Sequence, residues 1–136
     1  MGQQQLLLII LGVIVVGIAV AVGITMFQDN AVSANRDAVT NDLVNLAARA
    51  QQHYRRPTAL GGGQGAFNAS AGGVAISVIT QLTSKPTNAN GTYSLGAVGA
   101  TSIVLTGTGT EEGDDNNALE VVMTVFPDST YVVFSN

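Results

Sequence analysis

The 136-residue chain contains no cysteine, which excludes a disulfide framework, a thiolate nucleophile and a haem-attachment motif. Its compartment stays open on this count, because an exported protein need not use disulfides. Histidine is almost as scarce. His53 is the only one, and without cysteines or clustered acids beside it neither a zinc site nor a catalytic dyad can be built. It is expected at a helix end, facing solvent or a sheet. No nucleophile–base–acid set occurs, so the chain is read as no enzyme and as needing no cofactor. Basic residues are few: five Lys and Arg stand against nine Asp and Glu, for a net charge of −4. Four of the five are arginines between Arg36 and Arg56, and beyond Pro57 Lys85 alone opposes six acids. No basic patch is available for phosphates, so no nucleic-acid contact is expected. The seven Phe and Tyr are scattered and offer no path for electron conduction.

What the chain does have is oil at one end. Leu6 to Phe27 is an uncharged, predominantly apolar run of 22 residues, and no Lys or Arg precedes it in the sequence. As a helix at about 1.5 Å per residue it would extend about 33 Å, close to the hydrocarbon thickness of a bilayer. Its many Val and Ile weaken a helix in water, but in lipid the backbone must satisfy its own hydrogen bonds and helix is the expected state. Gly12, Gly17 and Gly23 interrupt the run, either admitting a close neighbour or marking points of local unwinding. Their spacings of five and six are not those of the small-xxx-small dimer motif. The segment must sit in lipid or against other protein chains, because the remaining residues are too few and too polar to wrap it.

Past Phe27 the composition changes while the helical period continues. Val32, Val39, Leu43, Leu46, Ala50 and Tyr54 fall on one narrow face, and neither Pro nor Gly occurs between Ile24 and Arg56. Arg55 and Arg56 suit the negative end of a helix dipole, and Pro57 stops the helix. One continuous helix is predicted over about residues 2–56, roughly 80 Å long.

The rest divides into a Gly-rich connection over 57–90 and a β-rich head over 91–136. "VAISVITQL" is ambiguous: Val74, Ile76 and Val78 alternate like a strand, whereas Ala75, Ile79 and Leu82 fit a short helix. Four runs then read as strands, "TYSLGAV", "TSIVLTGT", "ALEVVMTVF" and "TYVVFS", separated by Gly99-Ala100, by "EEGDDNN" and by "PDS". The expected class is α+β, with segment 1–27 apolar, segment 28–56 amphipathic, and an antiparallel sheet of about four strands. Val39, Leu43, Leu46 and Tyr54 are the residues expected to pack on the sheet.

Three motifs carry possible chemistry. "GGGQGA" at Gly61 to Ala66 superficially matches a phosphate loop but follows a helix instead of opening one, so a plain loop is preferred. Glu111, Glu112, Asp114 and Asp115 are hard oxygen ligands that could hold Ca²⁺. Their spacing is not that of an EF-hand, and a solvated acidic turn is the preferred reading. Asn68-Ala-Ser70 and Asn90-Gly-Thr92 are glycosylation sequons on expected loops.

A secretion signal would have a basic start and a shorter apolar stretch, and a plain anchor would carry Lys or Arg on its cytoplasmic side. Neither explains an amphipathic continuation to Arg56. The polar Gln5, the apolar run from Leu6, the unbroken helix and the C-terminal sheet together resemble the type IV pilin family and its relatives, the secretion pseudopilins. The likeness spans the whole architecture, though its sequence-specific part is Met1 to about Phe27. It implies a leader removed before Met1, a methylated terminus at Met1, and a filament core formed by Leu6, Ile10, Val15, Ile18, Val22 and Phe27. Cutting after Gly2 instead would place Leu7 in the fifth position and lose the polar slot. The family usually has Glu at that position, thought to neutralise a neighbour's terminal ammonium; Gln5 offers a neutral hydrogen bond, and the tract Gln3-Gln4-Gln5 could satisfy termini by its amides. The family's helix-breaking Pro near position 22 is missing, since Val22 stands there, leaving Gly17 and Gly23 as weak points. The resemblance further implies a homopolymeric extracellular filament, lodged in the inner membrane beforehand, and an assembly machine with an ATPase and a prepilin peptidase. A minor pseudopilin and a membrane-tethered periplasmic binding domain are the alternatives.

Overall fold

In the computed structural model of the protein, residues 2–113 and 115–135 are described. Met1 and Asp114, both singled out above, lie outside them. The chain forms one helix, α1 (Gly2–Arg55), and then an antiparallel sheet of β1 (Gly91–Val98), β2 (Ile103–Glu112), β3 (Ala118–Val125) and β4 (Thr130–Ser135). The strands follow one another in a meander, β1-β2-β3-β4. This is the α+β layout expected, a long N-terminal helix with a four-stranded sheet on its second half.

Period decides which residues meet. On α1, Val39, Leu43, Leu46, Ala47 and Ala50 are buried, at the spacings of one helix face. On the sheet, alternate residues point to that face: Tyr93 from β1, Ile103 and Leu105 from β2, and Leu119, Val121, Met123 and Val125 from β3. Register keeps these in rows, with Leu105 opposite both Leu95 and Met123, and Met123 opposite Val132. Helix side chains press on β2 at two glycines: a Cβ on Gly107 would stand 2.6 Å from Val39 Cγ1 and one on Gly109 would collide with Asn35 Oδ1, so neither position has room for a side chain without a shift in the helix residue above it.

Two segments differ from the sequence reading. β2 runs on through Gly109 and Thr110 to Glu112, so Glu111 and Glu112 belong to a strand and not to the acidic turn. The continuation includes a bulge, where pairing with β3 shifts between Thr108 and Glu112. "VAISVITQL" is neither strand nor regular helix, but an irregular segment ending in a 3-10 turn at Ile79–Gln81. The Gln81 carboxamide oxygen accepts from Ser77 N at 2.6 Å and Val78 N at 3.2 Å. Its amide nitrogen donates to Ala75 O at 3.3 Å. One side chain thus takes backbone groups that a strand would have paired.

The Gly-rich connection caps α1. Gly63 N donates to His53 O, Gly65 N to Tyr54 O and Gln64 N to Arg56 O, at 2.8–3.0 Å, which satisfies carbonyls the helix end leaves open. A Cβ on Gly62 or Gly73 would collide with the backbone of Arg56 or of Gly62 and Gly63 respectively. "GGGQGA" is therefore a close-packed cap.

Leu43 is wholly buried while its neighbour Val44 is 49% exposed. Leu43→Ala is expected to lower the unfolding free energy of the head by about 2–5 kcal/mol, and Val44→Ala by about 1 kcal/mol or less. Denaturant titration followed by circular dichroism in detergent measures both.

Candidate self-association surface

The first half of α1 is left uncovered by the head. Sixteen large apolar side chains between Leu6 and Phe27 are 51–80% exposed, Phe27 most of all. The segment is long and apolar enough to cross a membrane. The only hydroxyl in the run, Thr25 Oγ1, donates to Val22 O at 2.8 Å, so it is satisfied within the helix. Leu6, Ile10, Val15, Ile18, Val22 and Phe27 are all exposed on this segment, with Gln5 beside them. One chain does not bring them together; they are distributed around and along a rod. At Gly12, Gly17 and Gly23 an added Cβ would meet nothing within 4 Å. No contact inside the chain calls for glycine at these three positions.

A polar frame fixes the rod to the head. Asn35, Asp42 and Arg49 recur every seven residues along one flank of the buried stripe. Asn35 Oδ1 accepts from Thr110 N at 3.1 Å and Glu111 N at 3.4 Å, and its Nδ2 donates to Asn90 O at 2.8 Å. It supplies an acceptor to the amides of the β2 bulge, where regular pairing lapses. Asp42 Oδ2 accepts from Tyr93 Oη at 2.6 Å and from the amides of Asn88 and Asn90, each at 2.9 Å. Arg49 donates to Leu82 O at 2.7 Å. On the other flank Gln51 donates to Phe126 O at 2.9 Å and Arg55 to Pro127 O at 3.3 Å. The apolar stripe was legible in the sequence and these clamps were not. The seven-residue recurrence beside the stripe was the available signal.

Asp42 and Tyr93 are electrostatically coupled. Burial works against the Asp42 carboxylate, but hydrogen bonds from Asn90, Tyr93 and Asn88 outweigh it and hold its pKa below the ordinary value. Burial pushes the Tyr93 phenol up, and the Asp42 hydrogen bond and charge add to the shift.

The remaining sequence candidates are dispersed. Val39, Leu43 and Leu46 lie in the helix–sheet core. Tyr54 is half-buried beside it, its ring 4.9 Å from that of Phe67 and tilted by 45°. His53 Nε2 is 2.7 Å from Val74 O; it binds the connecting segment, not the sheet. Asn90 is committed to Asp42, whereas Asn68 accepts from Ser70 N at 3.0 Å and its amide nitrogen makes no bond among the described residues. Asp115 accepts from the Asn117 side-chain amide at 2.9 Å and backbone N at 3.1 Å, and these bonds hold its pKa below the ordinary value. Among the described residues no three acids or histidines gather as a metal site. No family model, no curated protein and no solved structure matches the chain.

The pH dependence of the Asp42 network follows from the two shifts. A lowered carboxyl pKa gives stability that is complete above the unfolded value, about 3.9, and is lost as pH falls through the folded value; a raised phenol pKa gives stability complete below about 10 and lost at higher pH. The stability gap between wild type and Asp42→Asn is therefore expected to be level at neutral pH and to close in acid. Urea midpoints of both proteins across the acid range measure it.

Proposed function

We propose that the chain is a structural subunit of an extracellular helical filament of the type IV pilus kind. The supporting observation is the exposed front half of α1, apolar on every side and held in line with the head by the frame of Asn35, Asp42 and Arg49. Full burial of such side chains stabilises by roughly 1.5–3 kcal/mol each, so sixteen of them provide a few tens of kcal/mol to whatever encloses the segment. The inner membrane encloses it first and other copies of the chain enclose it afterwards. Lipid and a helical bundle are both apolar, so the transfer itself is nearly neutral and packing decides its direction.

In the bundle Leu6, Ile10, Val15, Ile18, Val22 and Phe27 form the core, and Gly12, Gly17 and Gly23 admit neighbours or local bending. Gln5 makes a polar contact to a neighbouring N-terminus, which under this reading is the processed, methylated Met1. Each subunit presents different surfaces to the copies before and after it, a heterologous arrangement that does not close and so yields a fibre. Assembly calls on an ATP-driven membrane machine and a peptidase that removes a leader. A minor pseudopilin would use the same contacts in a short assembly. A single-pass tether for a periplasmic binding head is the reading of another class, and it draws on the segment's ability to occupy lipid by itself.

Material sheared from cells and viewed by electron microscopy separates these readings. Long fibres containing this chain are expected, and Val15→Asp is expected to abolish them while leaving the melting of the head unchanged. Chains that remain single in the bilayer, or normal fibres from the variant, would refute the filament core.

A further inference from the structure

The head carries opposite charge at its two ends. Where α1 leaves the sheet, Asp29 on the helix and Glu111 and Glu112 on β2 border an open cleft of about 650 Å³, with Phe27 and Val32 on its helical wall. Asp115 follows in the β2–β3 turn. At the far end, Arg55 and Arg56 close the helical segment beside the β3–β4 turn, and Arg49, His53 and Arg56 line a second open hollow of about 250 Å³. Asp128 is the one acid in that β3–β4 turn. The bond of Asn35 to Thr110 marks the first end and that of Arg55 to Pro127 the second. With about 1.5 Å of rise per residue, Asp29 and Arg56 lie about 40 Å apart along the axis. Among the described residues Asp29, Glu111, Glu112 and Arg56 make no ion pair, so the charges at both ends are free to meet something outside the chain.

We infer that the acidic cleft end of one head docks on the arginine end of the next copy. The inference rests on the filament reading, and it specifies which head surfaces meet. Acid against acid or arginine against arginine repels, whereas acid against arginine attracts, so copies that meet end to end do so with their helices pointing the same way. That polarity is the one a non-closing stack needs. The occupant of the cleft is thus a second copy of this chain, entering with the end that carries Arg55 and Arg56. Phe27 and Val32 supply apolar contact on the inner wall, and the carboxylates of Glu111 and Glu112 receive guanidinium groups at the rim. Because these charges are exposed, ionic strength screens the contact.

Charge reversal tests it in the full-length chain. Glu111→Lys with Glu112→Lys leaves the cleft, with Asp29, net positive and so facing a basic end with a basic cleft; Arg55→Glu with Arg56→Glu makes both surfaces acidic. Each double variant expressed alone is expected to give at least about tenfold fewer sheared fibres than wild type, while the two co-expressed, or all four changes in one chain, restore them. Melting of each head is measured alongside; if Arg55→Glu disturbs its bond to Pro127, Arg56→Glu alone replaces that arm. Normal fibre yield from the separate variants, or failure of the co-expressed pair to assemble, overturns the interface and leaves the apolar core reading standing. Absence of fibres from the wild-type chain overturns both.

Discussion

One mismatch of length governs this molecule. The helix is 54 residues long, and the sheet covers it only from about Asn35 onward. No rearrangement of a four-stranded meander with strands of 6–10 residues could enclose the rest. The front of α1 therefore stays uncovered in any single copy, and its solvent must be lipid or other chains. Everything else in the fold is compatible with that demand. The head buries its own apolar residues in a closed cluster, so it needs no help from the front segment to be stable.

What links the two halves is the stiffness of the junction. A helix held only by Val39, Leu43 and Leu46 could slide or roll on the sheet, because apolar contact has no direction. The hydrogen bonds of Asn35, Asp42, Arg49, Gln51 and Arg55 reach five different points on the head and fix both the rotation and the axial position of α1. The part of α1 from Asn35 onward is thus fixed to the head. In the proposed filament, packing of the front segments would carry the heads to defined places, and the inferred contact between head ends would act together with the apolar core.

The parts of this architecture legible in the sequence are those set by periodicity and by strong punctuation. The apolar run, the stripe through Val39 and Leu43, Pro57 and the four β-rich runs all belong to that class. The parts that were not legible depend on long-range hydrogen bonds. Glu111 and Glu112 look like turn residues by composition, yet they extend β2 because Asn35, about 75 positions earlier, serves the bulge amides of Thr110 and Glu111. Residues 74–82 have an apolar pattern suited to either regular structure, and the Gln81 carboxamide decides against both. The proposed assembly surface was legible only as an excess of apolar residues, because no contact among the described residues selects among its faces.

Glycine usage differs between the head and the front of the helix. In the head, Gly62 and Gly73 are held against neighbouring backbone and Gly107 against Val39, so each has a reason inside the molecule. Gly12, Gly17 and Gly23 have none, since a side chain there would enter open space. Glycine in a helix interior costs about 1 kcal/mol relative to alanine, and in the front segment no intrachain contact offsets that cost. An approaching helix can offset it, because removing Cβ lets two backbones come closer and increases the dispersion contact between them. A lone span in fluid lipid gains nothing comparable from these positions, for acyl chains conform to alanine as readily as to glycine. Under the filament proposal, packing against neighbouring helices is what these glycines serve.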